Sequence, residues 1–114
     1  MIKRFTASQV SASEAGDYFQ IHFEEGLGDD TQYLLIQRQF EDYDGGVCYV
    51  EDDELLMVDH YKILKAKLTR TYFEIKFKSE EKDSAFIYHT MTDEEFAEAK
   101  KVLKIIHPAV SIIE

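Results

Sequence analysis

Between residues 64 and 78 apolar and polar side chains alternate twice, in opposite phase. In Leu64-Lys65-Ala66-Lys67-Leu68-Thr69 the even positions are apolar; in Tyr72-Phe73-Glu74-Ile75-Lys76-Phe77-Lys78 the odd ones are. A period of two belongs to a strand with one buried face and does not suit a helix. A tight turn near Arg70-Thr71 makes the two runs a hairpin. Leu64, Ala66, Leu68, Phe73, Ile75 and Phe77 then share the buried side, with Lys65, Lys67, Glu74, Lys76 and Lys78 opposite. Such a hairpin needs a cover over its apolar face, and the rest of the chain must supply it.

Most of the remaining sequence reads as further strands. Phe19 to Glu24 alternates strictly. Tyr33 to Phe40 follows a Gly/Asp turn cluster at 26–30 and is apolar at its start. Val47 to Asp52 is entered through Gly45-Gly46, Leu55 to Val58 is a short β candidate, and Ala85 to Thr90 follows the charged turn 79–83. The period then changes. Thr92-Asp93-Glu94-Glu95 is a capping box, in which the Thr92 hydroxyl accepts from the Glu95 amide and the Glu95 carboxylate reaches back. Met91 and Phe96 are placed to staple that cap. Phe96, Ala99, Val102, Leu103 and Ile106 fall on one helical stripe. Acids fill the first turn, Lys100, Lys101 and Lys104 the later ones, and Pro108 prevents continuation. The spacing predicts a helix over 93–106 laid on the sheet, with Val110 to Ile113 as a final docked segment or strand. The predicted fold class is α+β, mostly β: an antiparallel β-meander sheet or partly open barrel packed by one C-terminal helix. At 114 residues the chain reads as a single domain, 1–114.

Cys48 is the only cysteine, which rules out an internal disulfide and points to a reducing, cytoplasmic compartment. The opening MIKRFTASQV has no apolar h-region, and the longest apolar runs are too short to span a bilayer. The net charge of −10 is unevenly spread: residues 40–59 carry −8 and residues 60–78 carry +5. Nucleic acid and anionic membrane are disfavoured as partners, because phosphate binding needs a dominant basic surface. A basic protein partner is electrostatically favoured.

Motifs for chemistry are missing. An EF-hand loop begun at Asp42 would need Gly at its sixth position and Glu at its twelfth, where Val47 and Asp53 stand. His22, His60, His89 and His107 have no metal-ligand spacing; His22 and His89 read as outward strand positions and His107 as a helix end. Cys48, in a strand-like run, reads as a packed core thiol. No nucleophile elbow, phosphate loop or dinucleotide fingerprint occurs. The reading is a protein that is not an enzyme, with no catalytic residues, no metal and no cofactor.

What remains is binding. Residues 40–54, FEDYDGGVCYVEDDE, hold seven carboxylates and two tyrosines without one Lys or Arg. The candidate surface is Asp42, Tyr43, Asp44, Tyr49, Glu51, Asp52, Asp53 and Glu54, with Tyr33 and Tyr61 nearby. Tyrosine rings supply contact area, and carboxylates supply steering and register. The same rings can equally pack at sheet edges with only their hydroxyls wet.

The run Tyr33-Leu34-Leu35-Ile36-Gln37-Arg38-Gln39-Phe40-Glu41-Asp42-Tyr43-Asp44 resembles the bacterial polymorphic-toxin immunity proteins, in particular the family called immunity protein ten. The likeness continues through Val47-Cys48-Tyr49-Val50-Glu51. It resumes at Tyr61-Lys62-Ile63, Leu68-Thr69-Arg70 and Phe73-Glu74-Ile75-Lys76-Phe77 and ends in the acid-led helix, covering roughly residues 30–107. The resemblance implies a β-rich cytoplasmic protein, encoded beside a toxin gene, that binds and blocks the toxin domain; it carries over no catalytic residue. Two other readings stay open. One is a protein-interaction module or homodimer, in which the acidic segment of one chain meets the basic 62–78 face of another, on a fold that would also suit a pleckstrin-homology-like barrel. The other is a metal-dependent enzyme built on the carboxylates.

Overall fold

A computed structural model of the chain describes residues 2–15, 18–26, 31–39, 47–53, 58–79 and 83–114. Among these residues nine strands and one helix follow in the order β1 (Ile2–Ala7), β2 (Gln9–Ala15), β3 (Tyr18–Glu24), β4 (Tyr33–Gln39), β5 (Val47–Asp52), β6 (Val58–Thr69), β7 (Tyr72–Lys78), β8 (Ser84–His89), α1 (Asp93–Ile106) and β9 (Ser111–Ile113). The fold is α+β and mostly β. Strands β2 to β8 form an antiparallel meander in which each strand pairs with the next. β1 joins the far end, parallel to β8. The terminal strands of this open sheet, β1 and β2, are consecutive in the chain and separated only by Ser8. The Ser8 amide donates to the Glu24 carbonyl at 2.9 Å, which extends the β2–β3 ladder through the junction. The sheet therefore curls until its two ends meet at one residue.

The inward side chains of the curled sheet make the core. Ile21, Phe23, Leu34, Ile36, Val50, Leu68, Phe73, Ile75 and Ile87 are all fully buried, and Phe23 stacks on Phe73 with ring centroids 4.8 Å apart. The hairpin predicted at 64–78 forms with five of its six expected inward residues. Leu64 is the exception, at 59% exposed. A β-bulge between Ile63 and Lys65 shifts the register, so Ile63 points inward opposite Phe77 while Leu64 is extruded. A bulge inserts one residue into the alternation and reverses the parity of everything before it.

Helix α1 spans the predicted residues. Its capping box is complete, with Glu95 N to Thr92 Oγ1 at 3.2 Å and Thr92 N to Glu95 Oε1 at 2.9 Å. It lies against β2 and β3 and buries Phe96, Ala99, Val102, Leu103 and Ile106. Arg38, on β4, donates to the Ile105 and Ile106 carbonyls at 2.8 and 3.0 Å, so a guanidinium satisfies the helix C-terminus. At the other end, Arg70 from the β6–β7 turn binds Asp93 at 2.7 Å and lies 4.2 Å above the Phe96 ring. β9 then pairs parallel with the second half of β6, at 67–69, beyond the stretch of β6 that pairs with β5. Among the described residues no helix is long and apolar enough to cross a membrane.

His89 differs from its expected outward position. It is only 3% exposed and shares its side of β8 with Ala85 and Ile87. Nε2 lies 2.9 Å from the Thr69 carbonyl, and the Met91 amide approaches Nδ1 at 3.4 Å. These contacts select the neutral tautomer with the proton on Nε2. Burial lowers the pKa of His89, against the pull of the Thr69 carbonyl. The folded state thus binds fewer protons here than the unfolded state. The resulting stability is complete above about pH 6.5, the unfolded value, and declines as the pH falls below it. Thermal melts between pH 8 and pH 5 should show a falling Tm, and His89→Gln should flatten that slope.

Candidate functional site

β5 alternates around a sharp division of labour. Cys48, Val50 and Asp52 face inward, while Val47, Tyr49 and Glu51 lie half-buried on the outside. The register places Leu35 of β4 beside Glu51, Gln37 beside Tyr49, and His60 of β6 beside Tyr49 on its other flank. The Glu51 carboxylate accepts two hydrogen bonds, one per oxygen: Tyr33 Oη donates to Oε2 at 2.7 Å and Tyr49 Oη to Oε1 at 2.8 Å. His22 lies against Tyr33 with ring centroids 5.4 Å apart, and His60 meets Tyr49 edge-on at 5.6 Å. Gln37 donates to Gln20 at 2.9 Å and closes the β3 side.

The protonation of this cluster is set by the same contacts. The Tyr33 hydroxyl, and then that of Tyr49, stabilise the ionised Glu51 carboxyl and hold it below the usual range. Burial, together with the hydrogen bond to Glu51, pushes Tyr33 up to about 12. Tyr49 is raised too, chiefly by its bond to Glu51. At neutral pH the arrangement is a fixed carboxylate carrying two phenol donors. A carboxylate stabilised in this way is a poor base, and phenols raised in this way are poor acids. Its remaining lone pairs suit a cation, such as an arginine or lysine from a partner.

The eight residues predicted as a surface divide. Tyr49 and Glu51 come together on the outside. Asp52 does not join them, because it is fully buried. Its Oδ2 lies 3.5 Å from Lys3 Nζ, and Lys3 on β1 is itself 7% exposed. Asp53 follows at the strand end with little exposed surface; Lys3 Nζ sits 2.6 Å from its Oδ1, which also accepts from the Tyr33 amide at 3.0 Å. These two acids tie β1 to β4 and β5 inside the sheet rather than facing a partner. Asp42, Tyr43, Asp44 and Glu54 lie outside the described residues. In the chain, Asp42, Tyr43 and Asp44 precede β5 and Glu54 follows it, so the predicted set attaches to opposite ends of a strand about 17 Å long. The segment that reads as one patch is therefore interrupted by a strand that turns half of its side chains inward.

Tyr33 and Lys3 belong to these clusters and were outside the predicted set. Tyr61, in contrast, turns inward opposite Cys48 and meets Phe77 with centroids 5.8 Å apart, as a sheet-packed tyrosine. Cys48 is a core thiol, 2% exposed, and burial pushes its pKa up to about 12, which makes it a poor nucleophile. Among the described residues no group of three or more His, Cys, Asp or Glu side chains is placed to hold a metal ion. Comparisons with protein-family models, curated proteins and solved structures give no match.

Proposed function

We propose that this protein is an immunity-type inhibitor that binds a toxin domain and blocks it through the outward face of β4 and β5. The observation that carries the reading is the Glu51 carboxylate, held on that face by the hydroxyls of Tyr33 and Tyr49. An anchor of this kind loses little side-chain entropy on binding, because its rotamers are already fixed. A carboxylate between two aromatic rings matches a basic partner side chain by charge, hydrogen bonding and cation–π contact. The −8 charge of residues 40–59 adds attraction toward a basic surface, such as the cleft of a toxin that acts on nucleic acid. The resemblance to immunity protein ten supports the same class, in a cytoplasmic setting beside a toxin gene.

The test uses the neighbouring gene. The C-terminal domain of the protein encoded immediately upstream is expressed alone and together with this chain, and growth is recorded. The expected result is toxicity alone and rescue on co-expression. A harmless neighbour, or toxicity without rescue, would sink the reading.

A further inference from the structure

The two halves of the outward sheet surface differ in charge. Across β2 to β5 the sequence holds a single Lys or Arg, Arg38, and it binds the end of α1. From β6 through β7 and β8 to β1 the positions turned away from the core include Lys65, Lys67, Lys76 and Arg4. The same half carries Leu64, Tyr88 and Ile113, three of the four exposed large hydrophobic side chains among the described residues. One row of residues crosses these four strands. Arg4 is in register with Phe86, Phe86 with Glu74, and Glu74 with Lys67. Above the row, cations and rings form a ladder. Arg4 lies 5.4 Å from the Phe86 centroid, Phe86 stacks on Tyr72 at 4.8 Å, and Lys67 lies 5.6 Å from the Tyr72 centroid. Tyr88 meets Phe86 edge-on at 5.0 Å. A cation seated on a ring is held in place and keeps its N–H donors for an anion.

We propose that this face binds an extended segment of an acidic partner protein, laid across β1, β8, β7 and β6 with carboxylates four residues apart. Three strand spacings separate Arg4 from Lys67, about 14 Å, which is also the length of four residues of extended chain. One carboxylate meets Arg4 and the other meets Lys67. The partner side chain midway between them turns to the same side, over Phe86 and Tyr72 and beside Tyr88, and is apolar. Glu74 stands in that row and rejects an acid at the midway position. The chain carries −10, yet at physiological salt its repulsion of an acidic partner is screened beyond about 8 Å, while pairs in contact remain. Single-stranded nucleic acid fits this face less well. Phe86 and Tyr72 cover one face of each other, and Arg4 and Lys67 cover the opposite faces, so these rings offer no open platform for bases.

An amide NMR titration of the full chain tests the proposal. The probe is a peptide in which two glutamates four residues apart flank a central phenylalanine, with serines between. Shifts confined to β1, β8, β7 and β6 are expected, with a Kd below about 1 mM. Arg4→Glu and Lys67→Glu should each weaken binding at least about fivefold while keeping the native spread of amide signals. A peptide with glutamate at the centre should bind the native chain at least about fivefold more weakly, and Glu74→Gln should close most of that gap. No shift up to about 5 mM peptide, shifts on the β4–β5 side, or binding indifferent to these changes would each overturn the proposal. So would tighter binding of an oligothymidylate or of phosphatidylserine vesicles through the same residues. The inference does not rest on the toxin reading: a chain that rescues growth but ignores the peptide overturns this inference alone.

Discussion

Lys3→Met should destabilise the fold by about 3–5 kcal/mol, the cost of removing one partner from a buried ion pair. Asp52 is fully buried with its carboxylate 3.5 Å from the Lys3 ammonium, and Asp53 has the same ammonium at 2.6 Å. Methionine keeps the length and apolar stem of lysine, so the loss reports charge rather than volume. Urea denaturation of Lys3→Met, Asp52→Asn and the double variant provides the measurement. The double variant should recover about half of the loss, because the asparagine left behind carries no charge. A loss below about 1 kcal/mol for Lys3→Met would mean that the pair does not hold β1 to β5. The pH dependence has a defined sign. Burial pushes the Asp53 carboxyl upward, but Lys3 and the Tyr33 amide outweigh it and hold it below the usual range. Its contribution is present at neutral pH and lost as the pH falls below about 4. Lys3→Met should therefore lose less stability than the native chain on acidification through that window.

One residue earlier the effect should fall on binding instead. On the proposed function, Glu51→Lys should weaken association with a toxin domain by about 2–4 kcal/mol, with a smaller loss of stability in urea from the two phenol hydrogen bonds it removes. The substitution replaces the ionised acceptor between Tyr33 and Tyr49 with a charge of the same sign as the proposed basic partner. Tyr49→Phe separates two contributions. It keeps the ring and removes one donor, so a loss nearer 1 kcal/mol is expected. Stopped-flow measurements should show an association rate for the native chain that falls about tenfold between low and high salt, with a shallower slope for Glu51→Lys. Binding that ignores Glu51→Lys would move the contact away from this face.

Glu51 and Asp52 also show what could be read from the chain. Strands β3, β5 and β7 and helix α1 were legible because period and caps state them locally: alternation for the strands, Thr92 and Glu95 for the helix start. Parity was equally available for Asp52, which shares its side with Cys48 and Val50, and for His89, which shares its side with Ala85 and Ile87. The composition rule that acids face water overrode it. Lys3 repeats the pattern on β1, between the inward parity of Phe5 and Ala7 and the expectation that lysine is exposed. β1 and β2 were not read as separate strands. Ser11-Ala12-Ser13-Glu14-Ala15 has little β-branched or aromatic content, and it is extended because β3 pairs with it. The bulge at Leu64 left no local mark, since Leu64 continues the apolar alternation with Ala66 and Leu68.

The parallel pairing of β1 with β8 bears on the order in which the molecule can be made. Ile2 pairs with Ser84 and Ala7 with His89, so β1 has no neighbour on that side until nearly the whole meander has been synthesised. Hairpins from β2 to β8 can close one after another behind the ribosome, each with a partner a few residues away. β1 must wait through all of them, and contacts of such long sequence separation set the slow end of folding rates. Lys3 rides on that strand, so the buried charges of Asp52 and Asp53 gain their counter-ion only when it docks. In the life of each molecule, the first of these strands to be translated must wait for the eighth before it can pair.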